Sequence, residues 1–212
     1  MCYSSESSIK SFTIGISTSL YLLFFSKNPT NRHIGLFFAF VSIIQLLEYF
    51  MWIDQKCGLL NNFASRSVVL VLALQVYSLF LGGYIFNTTY IPSNYLFYAL
   101  LLGSFSIMHT IYFYYFQNNL KWCTKPNENN SMQWANFGIV NKRSTYLYYG
   151  IFIAFALLLK EHAKGLVVLL LGLFTFTYTR YSNVNTSNSR WCFFSAFIPS
   201  IMIAIEKMQH IR

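Results

Sequence analysis

Charge is what this sequence has least of. Only 10% of its 212 residues are Asp, Glu, Lys or Arg, against 55% hydrophobic, whereas soluble domains carry about 25% charged residues. A soluble fold of this composition would have no polar coat, and a mean hydropathy of +0.44 agrees. Acidic residues are scarcest, six against fifteen Lys and Arg, which leaves a net charge of +9. A basic balance of that size raises the question of nucleic acid, but there is no basic stripe and no nucleic-acid motif. The basic residues stand singly or in pairs at the ends of apolar runs, as they do on membrane flanks. The expected partner is therefore the lipid bilayer, with no nucleic acid.

Further absences narrow the class. The sequence has no internal repeat and no separate soluble domain. It has no CxxC pair, no HExxH and no His pair at i, i+4, which weighs against a zinc site or a metal hydrolase. The first apolar run, "SFTIGISTSLYLLFF", is followed by "SKNPTNRH" and not by a small-residue cleavage site. It reads as a retained first span, not a signal peptide.

What is present is a series of apolar runs near the length of about 20 residues that a membrane helix needs. Seven are expected as spans, at 11–25, 34–53, 67–86, 95–116, 145–159, 165–179 and 191–205. The runs at 67–86 and 95–116 lack the polar face of a soluble amphipathic helix. Tyr and Trp gather near the ends of spans, as in an interfacial aromatic belt. The expected fold is all-α, a polytopic integral membrane bundle of seven transmembrane helices in one domain.

Seven spans put the termini on opposite sides, here called side B for the N-terminus and side A for the C-terminus. Nine Lys and Arg fall on side B and six on side A, a weak positive-inside argument for a cytoplasmic side B. The cysteines argue the reverse. Cys57 and Cys123 lie in two side-B connectors and could form a disulfide, which persists only on an oxidising side. They could equally be small buried hydrophobes. Sequons for glycosylation stand at Asn129 and Asn185 on side B, with a third at Asn87 on side A close to the membrane. The orientation favoured is N-terminus out and C-terminus in.

One carboxylate lies inside a span. In "VSIIQLLEYFMWID", Ser42, Gln45, Glu48 and Trp52 share a helix face by their three-to-four spacing, and lipid offers Glu48 no partner. Gln75, Ser78, His109, Thr175, Thr177 and Ser195 lie at similar depths in other spans. Together they suggest one polar layer toward side B, with Glu48 and His109 as its ionisable members. An ionisable residue at membrane depth points to function, but Gln, Ser and Thr also bond helices together in bundles. Pro199 is expected to kink the seventh span.

Several functions can be set against these residues. A retinal protein needs a mid-membrane Lys in the last span, and "WCFFSAFIPSIMIAIE" has none, so no cofactor is expected. A metal site is not expected either. The nearest approach would gather His33, His162, His210 and Glu161 or Glu206 on side A. A transporter would show inverted repeats and broken helices. Neither is evident, although "LGGY" at 81–84 could loosen the third span. Two short motifs, "QLLEYFMW" and "SRWCFFSAFIPS", resemble an uncharacterised seven-span membrane family of large DNA viruses and protists. The resemblance implies a seven-helix fold, carries no activity, and marks Gln45, Glu48, Trp52, Trp191 and Cys192. Arg190 departs from the smaller or apolar residue expected before Trp191. The leading expectation is a non-enzymatic protein that binds a small ligand, lipid or ion in the polar layer, or that acts as a scaffold. The alternatives are a lipid-modifying enzyme using Glu48 and His109, and ion or proton transport.

Overall fold

The computed structural model describes residues 4–117, 122–128, 130–135, 142–182 and 186–210. The described chain is helical: α1 (Ser5–Phe25), α2 (Pro29–Ile53), α3 (Leu59–Phe86), α4 (Ser93–Ile111), α5 (Lys142–Leu157), α6 (His162–Ser182), α7 (Ser187–Ser195) and α8 (Ile198–His210). A π-helical turn, Tyr112–Gln117, extends α4, and one two-stranded hairpin pairs β1 (Lys125–Pro126) with β2 (Met132–Gln133). Five stretches are long and apolar enough to cross a membrane: α1, α2, α3, His162–Tyr181 of α6, and Ser187–Met208 across α7 and α8. The apolar part of α5, Tyr146–Leu157, covers about 18 Å at 1.5 Å per residue, against a hydrocarbon core of about 30 Å.

Local chemistry sets the helix ends. Ser4 and Ser7 form a reciprocal capping box at the start of α1, satisfying donors that a helix start leaves open. Asn28 caps α2 through a bond from the Asn31 N–H, with Pro29 next in line, where its missing N–H costs nothing. The Asp54 carboxylate accepts the Gly58 and Asn61 N–H groups at 3.0 Å each and so caps α3 from the end of α2. These caps lengthen the helices beyond the apolar runs. α1 begins at Ser5, ahead of the run at 11–25, and α3 at Leu59, ahead of the run at 67–86. "LGGY" at 81–84 stays inside α3. The seventh run is broken at Ala196–Phe197, because Pro199 has no N–H and its ring crowds the carbonyl four residues earlier.

The interior mixes an apolar core with many small polar residues, and large apolar side chains cover much of the outside. α1 buries Ser8, Ser11, Gly15, Ser19 and Leu22, while Leu102 is 72% and Phe174 70% exposed. Burial of small and hydroxylated residues with large apolar ones outside fits helices solvated by lipid. α1 meets α2 closely: a Cβ on Gly35 would come 2.6 Å from the Ser19 carbonyl oxygen and 2.8 Å from the Leu23 nitrogen. α2 is central and packs on α1, α3, α7 and α8.

The connectors gather at two ends. At one, Tyr90 donates to the Leu158 carbonyl and Lys160 to that of Thr88. There Glu161 also accepts from Asn28 and Thr30. At the other, a disulfide joins Cys57 to Cys123 with Cα atoms 5.2 Å apart. Asn61 also bonds Thr124 in both directions there.

Candidate functional site

Glu48 lies on the buried face of α2, with no exposed surface. Its Oε2 accepts from Gln45 Nε2 at 3.2 Å, one turn earlier on the same helix. Its Oε1 accepts from the Trp134 indole N–H at 2.9 Å. Trp134 comes from the connector between α4 and α5, just after β2. The pairing of Lys125 with Gln133 and Pro126 with Met132, with Asn130 in the left-handed region at φ 50°, turns this connector back on itself. Asn is among the few residues that tolerate that region. The hairpin buries Met132 and Trp134. Beside it, the buried Arg190 of α7 donates through Nε and Nη2 to Ser131 Oγ at 3.0 and 2.8 Å. Ser65 Oγ donates to Thr124 Oγ1 at 2.8 Å. The hairpin thus caps one end of the bundle, and Glu48 is the acceptor that seats it.

The expected single polar layer divides into separate units. Gln75 is buried between α2, α3 and α5, where Tyr148 donates to its Oε1 and its Nε2 donates to the Phe40 carbonyl. Ser42, Ser78 and Thr175 bond carbonyls of their own helices, which is the local alternative always open to a hydroxyl on a helix. Ser195 is buried and Trp52 half-buried, and neither Ser195 Oγ nor Trp52 Nε1 has a hydrogen bond among the described residues. His109 is not brought to Glu48. It lies exposed on α4, its ring stacked on Phe113 with centroids 6.4 Å apart.

Of the residues expected on side A, His33, Glu161, His162 and Glu206 have separate partners, and the His210 side chain lies outside the described residues. His33 is fully enclosed, its ring nitrogens bonded to Thr88 Oγ1 at 2.7 Å and the Leu79 carbonyl at 3.0 Å. His162 meets Tyr90, and Glu206 accepts from Ser26 at 2.6 Å. Glu161 faces Asn28, Thr30 and Lys164. Burial raises its carboxyl pKa, but the bonds from Thr30, Lys164 and Asn28 outweigh that and hold it below the ordinary value. No group of three or more His, Cys, Asp or Glu among the described residues could hold a metal ion.

Of the cysteines, Cys57 and Cys123 are bonded and Cys192 is free and buried. Cys2, Asn129 and Asn185 lie outside the described residues.

A cavity of about 430 Å³ is walled by α3, α4, α5 and α7. Its lining is almost wholly apolar, from Val68 to Phe80 on α3, with Ala99 and Gly103 on α4 and Ile151 on α5. Trp191 and Cys192 form part of the α7 wall. Trp191 is fixed by a bond from its indole N–H to the Gly172 carbonyl at 3.1 Å and by edge contacts to Tyr148, Tyr149 and Phe152. Tyr148 presents its ring to the cavity while its hydroxyl goes to Gln75. The arrangement can hold an apolar body, and it offers neither a nucleophile–base pair nor a set of metal ligands.

The sequence reading missed Trp134, Ser131, Arg190 and the cavity. A signal for the cap did exist. The stretch "KWCTKPNENNSMQW" carries two Trp and a Met in an otherwise polar connector, and such residues seek burial. The cavity had no signal, because its lining is the same Val, Leu, Ala and Phe that faces lipid elsewhere. No known protein family, no curated protein and no solved structure matches this chain.

Proposed function

We propose that the chain is a seven-crossing membrane protein, with side B outside, that binds an apolar or amphipathic small molecule in the cavity between α3, α4, α5 and α7. The observation that carries this reading is the cavity itself. Its volume of about 430 Å³ falls within the range of about 300–1,000 Å³ typical of small-molecule pockets. Alternation of the connectors supports seven crossings. The α1–α2, α3–α4 and α5–α6 connectors bond one another, and the α2–α3 and α4–α5 connectors share the disulfide. The disulfide also supports an outside side B, since such bonds persist in oxidising compartments. Glu48 then has a structural part, as the seat of the cap. The enzyme reading loses its base, because His109 lies exposed on another helix.

The test is mass spectrometry of the purified protein under native conditions, with Ala73→Phe as the comparison because Ala73 lines the cavity. The expected result is a co-purifying apolar adduct on the wild type, lost in the folded variant. An adduct equally abundant on both, or absent from both, would overturn the reading.

A further inference from the structure

We infer that the cavity takes one acyl chain of an amphiphile from the side-B leaflet, its polar head beside Asn188 and its tail toward Phe80. This rests on the binding proposal above and names the ligand class.

The shape of the cavity points to a chain. Its α3 wall runs from Val68 through Leu72 and Val76 to Phe80, about 18 Å at 1.5 Å per residue. One leaflet of a hydrocarbon core of about 30 Å is about 15 Å deep, so the cavity is as long as a single leaflet. The volume suits a single chain: at roughly 30 Å³ for a group the size of water, the cavity's 430 Å³ holds roughly 14 such groups.

The polarity of the wall sets the direction. Val68 lies two turns into α3, near Asn61 and Ser65, which bond the cap. Asn188 stands in the first turn of α7, two residues before the Arg190 that also bonds the cap. Asn188 and Ser106 are therefore the polar wall residues toward side B, and the Asn188 carbonyl already accepts from Tyr149 at 3.1 Å. Its amide N–H groups remain as donors to an ester or carboxyl oxygen. At the other end Phe80, Val76 and Ile151 offer only carbon.

Entry is from the bilayer. Among the described residues α4 packs on α3 and makes no comparable contact with α5, which leaves a seam between α4 and α5 open to lipid. Gly103 lets α4 lie close to α3 along the cavity wall. A Cβ there would meet the Tyr77 ring at 2.9 Å, and a larger side chain would crowd the cavity that both residues line.

The experiment uses the full chain in detergent with 5-doxyl-stearate, whose spin label quenches tryptophan. Trp191 lines the cavity, so the wild type minus Trp191→Phe isolates its signal. Saturable quenching is expected, with displacement by saturated fatty acids strengthening up to about 14–16 carbons and then levelling. Lysophosphatidylcholine of the same chain length distinguishes a phospholipid-derived chain from a free acid, and the better competitor names the source. Gly103→Leu should weaken binding at least tenfold. Should that variant not fold, Asn188→Leu reads the head end: the chain-length dependence is kept while the better of the two competitors loses its advantage, and an unchanged advantage overturns the head placement. Quenching that never saturates, or competition that rises with every added carbon, is simple partitioning and overturns the inference. If acyl chains fail to compete while the co-purifying adduct is present, the chain assignment falls and the cavity reading stands. If both are absent, both fall.

Discussion

Glu48 shows how a membrane-buried carboxylate can serve structure. It accepts from Trp134 and Gln45, so two donors depend on it. Glu48→Gln keeps one acceptor oxygen for the indole but turns an N–H group toward the other donor, so it should lower thermal stability in detergent less than Glu48→Leu does. Glu48→Leu leaves the indole N–H without that acceptor and should cost about 1–3 kcal/mol, the desolvation of a buried unpaired group. The same unfolding curve checks both, and equal effects would contradict the seating role. Two carboxylates outside the spans carry a pH prediction. Bonds from the backbone of Asn61 and Gly58 hold the Asp54 pKa below its ordinary value despite the opposing effect of burial. The Glu161 pKa is lowered likewise. A carboxylate with a lowered folded pKa adds stability above its unfolded pKa and loses it as pH falls through the folded one. Melting temperature should therefore hold above about pH 5 and decline below the unfolded values of about 4. Asp54→Asn should flatten part of that decline.

At the scale of elements, two helix contacts depend on glycine. Gly35 lets α2 lie against the α1 backbone near Ser19 and Leu23, and small residues serve this purpose where lipid supplies no hydrophobic drive. Gly35→Leu should destabilise by about 1–3 kcal/mol, the usual penalty for overpacking, seen as a lower melting temperature in detergent. Gly82 sits against the His33 ring, which a Cβ would overlap. That contact explains why "LGGY" does not open α3: Gly82 admits a side chain from α2. The broken seventh run is the opposite case, where Pro199 dictates the backbone.

For the whole molecule, the disulfide ties the cap to α2 and α3 across 66 residues of sequence. Loops of that length are stabilised by about 4 kcal/mol in the chain-entropy view, less where the reduced chain stays ordered. Cys57→Ser should lower the melting temperature and free Cys123 for maleimide labelling. In sealed cells a membrane-impermeant maleimide should label that variant from outside. Labelling only after permeabilisation would reverse the orientation.

The sequence by itself determined the class. Few charges, long apolar runs and flanking aromatics leave only a helical membrane bundle, because lipid accepts little else. It also placed Glu48 and Gln45 on one buried face, since helical spacing is local, and it offered the Cys57–Cys123 pair as one of two readings. Only the tertiary structure decided what those residues meet. Hydropathy carries no azimuth for a helix as apolar as α4, so nothing local showed that His109 turns outward. Trp134 reaches Glu48 across 86 positions through a hairpin whose polar sequence looks like an exposed loop. The cavity is a relation among four helices. Its residues are ordinary lipid-facing side chains until the gap between α4 and α5 sets them around an empty volume.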